Sequence, residues 1–293
     1  MLLLLLACAP TPVDPDAWPL VGCESRHRPA WGHALVFGEE HRIEHDGTEL
    51  AVRVLRPASQ GAPGCWPALV LVPPGFDEGL PEADSVDSQA LAQSGVVVVT
   101  FDPRGRGLSE GQEQHGGPDQ QDDLAAVLAW TAARADVDPR RVHLRSRSLG
   151  IVLATGALFR HPELDPAGLL DIEGPARLPE ELEYAPEQTR DTFYRISSGA
   201  EWWELRSPDL SLPSFRGHYR RVQAAEDHAL GGYMGHAQTL LNAAELGMAS
   251  EVDLNGVSRP IWSYEQVEDE VLQGRVKHDD LRAMELLIEL LRE

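Results

Sequence analysis

Basic side chains are scarce: 25 Lys and Arg stand against 47 Asp and Glu, a net charge of −22 over 293 residues. A surface of that sign repels phosphate backbones and anionic headgroups, which argues against nucleic acid as a partner. The acidic residues are spread along the chain rather than run together, as on a solvated surface. A membrane-spanning run is also missing from the N-terminus, where MLLLLLACAP falls far short of the roughly 20 apolar residues that cross a bilayer. No internal repeat is visible. Cysteine is rare, with only Cys8, Cys23 and Cys65.

What the N-terminus does carry is Leu5-Leu6-Ala7-Cys8, which resembles the lipobox of bacterial lipoprotein signal peptides. The resemblance implies export, with Cys8 as an acylated anchor; an ordinary secretory signal gives the same location without the lipid. Residues 9–30, with prolines at 10, 12, 15, 19 and 29, read as a tether, and an ordered domain is expected over 31–293. In an exported chain Cys23 and Cys65 either form a disulfide or stay unpaired and buried.

ALVFGEEHRIEHDGTELAVRVLRP alternates and turns at Asp46-Gly47, the signal for a β-hairpin. His41, Glu44 and His45 within it match the H-x-x-E-H pattern of zinc proteases, which needs a helix. On a strand, positions 41 and 45 lie about 13 Å apart, too far to share one tetrahedral ion. No metal site is expected.

Apolar runs then alternate with helical patterns. Strands are expected at 67–75, 95–102, 141–146, 167–174 and 218–224, and helices near 82–94, 119–135 and 149–160. Unbroken Val and Leu runs suit strands buried on both faces, so the expected fold is α/β: a mostly parallel central sheet with an N-terminal antiparallel hairpin and helices on both faces. Residues 175–215, rich in Glu, Pro and aromatics, fit no strand period and read as an inserted cap. The C-terminal stretch 278–293 reads as an amphipathic helix with Leu281, Met284, Leu287 and Ile288 on one stripe.

Two serines compete for the role of nucleophile. Ser109 sits in GLSEG, a full G-x-S-x-G match, whereas Ser148 sits in SRSLG and lacks the first glycine. A nucleophile elbow needs a buried strand, one strained residue and a helix that begins at once. Ser109 is followed by EGQEQHGGPDQQ, polar and glycine-containing, which makes it a loop residue. Ser148 follows RVHLRS and precedes LGIVLATGALF, which gives strand, elbow and helix. Gly150 meets the second glycine requirement, and Ser146 is small enough to replace the first.

FDPRGRGLSEG (101–111), with the S-x-S-x-G elbow some forty residues later, resembles the α/β-hydrolase fold family, in particular its prolyl oligopeptidase, X-Pro dipeptidyl peptidase and acyl-esterase branches. The resemblance implies a Ser-His-Asp triad in the chain order Ser, acid, His. It points to Asp227 in AAEDHAL, with Glu226 as fallback, and to His278 before the last helix. His228 competes less well than His278, because neighbours in sequence cannot easily pair carboxylate with ring; His236 reads as a packing or capping residue on a helix. The implied oxyanion donors are the N–H groups of Leu149 and of Phe76 in VPPGFDEG. The implied activity is hydrolysis of a small ester or peptide substrate with no cofactor. A non-catalytic envelope protein retaining the fold for binding or scaffolding is the alternative, because fold alone does not decide function.

Overall fold

The computed structural model describes residues 36–57, 65–274, 286–287 and 289–291. The expected leader and tether, Cys8, Cys23 and His278 lie outside them.

The chain opens with β1 (Val36–His45) and β2 (Thr48–Pro57), joined through Asp46 and Gly47, both at positive φ (47° and 68°). Two consecutive left-handed residues make the two-residue turn whose twist matches a hairpin. Then come β3 (Trp66–Val72), α1 (Val86–Gln93), β4 (Val97–Phe101), α2 (Pro118–Ala132), β5 (Val137–Arg147), α3 (Gly150–Arg160) and β6 (Gly168–Ile172). The short helices α4 (Glu187–Ile196), α5 (Ala200–Glu204) and α6 (Pro208–Ser211) occupy the expected cap segment. The chain returns through β7 (His218–Val222), α7 (Gly235–Glu245), β8 (Glu251–Leu254), β9 (Val257–Ser258) and α8 (Tyr264–Gly274).

The nine strands form one sheet in the order β1-β2-β4-β3-β5-β6-β7-β8-β9. Six of them, β4 through β8, run parallel; β1, β2 and β9 are antiparallel to their neighbours. The parallel strands are sealed on both faces, which is why VVVTF of β4 and GLLDI of β6 show no alternation. On one face the sheet packs against α2, α3, α7 and α8, with Leu124, Leu128, Ile151, Ala154 and Leu240 in the core. On the other face it packs against Leu91 and Ala92 of α1 and against Leu286, Leu287, Leu290 and Leu291 near the C-terminus. Of the stripe expected in that last segment, only Leu287 is described, and it is buried.

The turn between β8 and β9 is Asn255-Gly256, again with both residues at positive φ. Cys65 is buried and disulfide-bonded. Among the described residues no helix is long and apolar enough to cross a membrane.

The candidate active site

The site forms where parallel strands end and helices begin, at their C-terminal edge. β5 runs straight into α3, and the single residue that makes the corner is Ser148, held at φ 51°. Its N–H is tied to the carbonyl of Ile172 at 2.8 Å, so the strained residue is braced by β6. A Cβ at Gly150 would lie 2.9 Å from the carbonyl oxygen of Val72, so only glycine lets α3 close onto β3. At the other glycine position Ser146 is fully buried, with its Oγ 3.5 Å from Asp171.

Ser109 is engaged in structure. Its hydroxyl donates to the Asp102 carbonyl at 2.5 Å and accepts from the Ala51 N–H at 2.8 Å, stitching the loop to β2. The Asp102 carboxylate accepts three main-chain N–H groups, from Gly79, Leu80 and Leu108. Arg106 pairs with Glu113 at 2.6 Å and donates to the carbonyls of Gly75 and Asp77, which fixes the loop that carries Phe76. Among the described residues neither the Phe76 nor the Leu149 N–H donates a hydrogen bond. Leu149 sits at the N-terminus of α3, where unpaired N–H groups and the helix dipole favour negative charge.

Among the described residues, the histidine that reaches Ser148 is His228. Its Nε2 lies 2.8 Å from Ser148 Oγ, and its Nδ1 lies 2.8 Å from Glu173 Oε2. Glu173 immediately follows β6, its side chain is fully enclosed, and it sits at φ 53°. Its second oxygen accepts the Ala224 N–H at 3.2 Å, so the carboxylate is held from two sides. The bond to Glu173 is the main influence that raises the His228 pKa above its ordinary value; burial opposes it, and the nearby charge of Asp227 adds to it.

Asp227, expected as the acid, has other work. Its Oδ1 accepts the N–H groups of Ala229 and Leu230, and its Oδ2 lies 3.2 Å from Nε2 of His236 and from the Gln223 amide nitrogen. From His228 Nδ1 it stands 3.7 Å away, outside hydrogen-bonding distance, as adjacency in sequence demands. The fallback, Glu226, is exposed. Burial tends to raise the Asp227 pKa, but the bond from His236 and the two main-chain donors outweigh it and hold the carboxyl below its usual range. Burial pushes the His236 pKa below its ordinary value, against the pull of its bond to Asp227. The Asp227–His236 pair thus builds the turn that presents His228.

Adjacency in sequence keeps Asp227 from pairing with the His228 ring but places no such limit on Glu173. Glu173 had its own signal: it is the second of two carboxylates in the run GLLDIEG and the one at its end, where a buried parallel strand reaches the site edge. Along the chain Ser148, Glu173 and His228 come in the order serine, acid, histidine.

Glu173, Asp227 and His228 also present ligand atoms within 4.8 Å of one another, the makings of a metal site. Their hydrogen bonds to Ser148, Ala224, Ala229, Leu230 and His236 give these groups partners without an ion.

Over the site lies the cap, whose Leu178, Leu182, Ala185 and Phe193 cluster with Leu230 and pack against Leu149. Of the cap aromatics, Phe193 is buried and lies 5.8 Å ring to ring from Phe76. Trp202 and Trp203 back it, and Tyr184 stacks on Tyr233 at 3.8 Å.

Residues 46–165 match the model of the X-Pro dipeptidyl-peptidase family, S15. Among solved structures, an esterase of Pyrococcus furiosus aligns over 92% of this chain and 98% of its own at 15% identity, TM-score 0.58. The acylaminoacyl peptidase of Pyrococcus horikoshii aligns over 87% of this chain and 41% of its own, at 14% identity and TM-score 0.59. One of two prolyl endopeptidases solved together aligns over 87% and 38%, at 17% identity and TM-score 0.62. With its sheet order, its elbow at Ser148 and its cap between β6 and β7, the chain has the α/β-hydrolase fold, and its residues 46–165 resemble the X-Pro dipeptidyl-peptidase branch.

Proposed function

We propose that the protein is a serine hydrolase that cleaves an ester bond through Ser148, His228 and Glu173. One observation carries the reading: a continuous relay of 2.8 Å contacts from Ser148 Oγ through both nitrogens of His228 to Glu173. His228 Nε2 takes the Ser148 proton as Oγ attacks the substrate carbonyl, while Glu173 holds the proton on Nδ1 and steadies the imidazolium. The N–H groups of Leu149 and Phe76 receive the oxyanion. His228 then passes its proton to the leaving group, and water releases the acyl group by the reverse path.

Ester rather than peptide hydrolysis is supported by extent. The Pyrococcus furiosus esterase is matched over 98% of its length, the two peptidases over 41% and 38%. Fluorophosphonate labelling with the adduct located by mass spectrometry is the test. An adduct on Ser148 that is lost in His228→Ala supports the reading, and intact unlabelled protein rejects it.

Export belongs to the same proposal. The disulfide at Cys65 supports an oxidising compartment, and the lipobox-like stretch ending at Cys8 supports a lipid anchor there. Detergent phase partitioning of wild type and Cys8→Ala tests the anchor: a protein that stays in the aqueous phase in both cases is not lipidated.

A further inference from the structure

The four groups around a tetrahedral acyl centre on Ser148 have separate places. One is Oγ itself, one is the oxyanion at Leu149 and Phe76, and the leaving group must stand beside His228 Nε2 to accept its proton. The acyl substituent takes the remaining direction, away from His228. Beside the two oxyanion donors the structure has a small cavity walled by Phe76 and Leu149 themselves and by Val152, Leu153, Leu178 and Phe193; Ser148, His228 and Glu173 do not line it, so an acyl group reaches it past Leu149.

Its volume is about 10 Å³. That is the space of about one water molecule, room for a methyl group and not for a chain.

The walls are held. Val152, Leu153, Leu178 and Phe193 are all buried, the last with its ring against Phe76 and Trp203. Arg206, 6% exposed, closes the far side. Its Nε donates to the His115 carbonyl at 2.9 Å, Nη1 to Trp202 at 3.0 Å and Nη2 to Gln114 at 2.6 Å. Two of those bonds, to His115 and Gln114, lash the cap to the loop before α2, and Gln121 of α2 adds another by donating to the Leu205 carbonyl. Widening the cavity therefore means undocking the cap.

We propose that this cavity is an acyl-selecting subsite that restricts the enzyme to esters of the shortest acyl groups, acetyl foremost. The inference rests on the hydrolase reading above. Each methylene that a close-walled apolar pocket must refuse changes the specificity constant by roughly 10- to 200-fold. The step selected is acylation: the Ser148 Oγ–carbon bond forms, the carbon–oxygen bond to the alcohol breaks, and the proton reaches the alcohol oxygen through His228.

The test is kcat/KM for p-nitrophenyl acetate, butyrate, hexanoate and octanoate, with active sites counted by fluorophosphonate. The expected result is acetate above hexanoate by at least about tenfold, with the ratio narrowed in Phe193→Ala and in Val152→Ala, which open the cavity from the cap and from α3. Counting active sites separates a widened pocket from a misfolded one. Wild type that cleaves hexanoate as well as acetate overturns the subsite and leaves the hydrolase standing. So does a ratio that moves in neither variant while Ser148 still labels. Absence of both labelling and ester cleavage overturns the hydrolase reading, and the subsite with it.

Discussion

Glu173 and His228, 55 positions apart in the chain, meet through a 2.8 Å contact between Oε2 and Nδ1, while Asp227, next to His228 in sequence, stays at 3.7 Å. Glu173→Gln is accordingly expected to lower kcat/KM by roughly 10³- to 10⁴-fold, the scale of losing the orienting carboxylate of a triad. Asp227→Asn keeps an acceptor for the Ala229 and Leu230 N–H groups and should cost about tenfold. Ester kinetics on the two variants decide between the two acids: a larger loss in Asp227→Asn would sink the assignment of Glu173.

The pH profile follows from the same contact. His228 must be neutral to take a proton, and its pKa is raised, chiefly by the Glu173 bond. The acid limb of kcat/KM should therefore have its midpoint above the ordinary histidine value of about 6.5. Glu173→Gln removes the cause and should move the midpoint down, even as the rate falls. The sign is opposite for stability: a raised folded pKa stabilises below the unfolded value, and that contribution is lost as pH rises through the folded one. A midpoint that stays put in Glu173→Gln would contradict the geometry.

Ser109→Ala removes a hydroxyl that serves Asp102 and Ala51 and no reacting atom. It should lower unfolding free energy by about 1–2 kcal/mol while labelling at Ser148 proceeds at the wild-type rate. Denaturant titration and adduct kinetics on the same preparation check both halves.

Gly150→Ala would set a Cβ 2.9 Å from the Val72 carbonyl oxygen and 3.0 Å from that of Pro73. Main-chain oxygens at the end of β3 cannot yield cheaply, so about 1–3 kcal/mol of destabilisation is expected. Labelling should slow as the elbow shifts. Normal stability and normal labelling together would show that β3 and α3 have slack between them.

Dialysis against EDTA should leave ester hydrolysis unchanged, whereas micromolar zinc should inhibit it. The ion would gather Glu173, Asp227 and His228, whose ligand atoms lie within 4.8 Å, and take Nδ1 from its proton. Loss of activity in EDTA, restored by zinc, would replace the triad with metal chemistry.

The parallel sheet, its hairpin and the cap were legible because they rest on local signals: Asp46-Gly47, unbroken valines at 96–99, and a strand running into an apolar helix at Ser148. The elbow could be told from the decoy at Ser109 by what followed each serine. The acid and base were harder, because their meeting depends on how adjacent strands end. Asp227 looked catalytic by turn context, yet its carboxylate is consumed by main-chain N–H groups that only the closed turn brings round. Glu173 was hidden inside a strand pattern, where a carboxylate reads as an interruption. The β8–β9 hairpin carried an Asn-Gly signal that went unread.

The cap enters the chain directly after Glu173 and leaves it before β7, so the acid and the strand that leads to the base bracket it. The proposed nucleophile, oxyanion donors and base all lie outside that interval. The segment behaves as a cassette: recombination across 175–215 could exchange what the proposed enzyme admits while inheriting its chemistry whole. The two ends of that cassette are also the places where a badly seated replacement would first disturb the site, since one splice lies beside Glu173 and the other at the start of the strand that leads to His228.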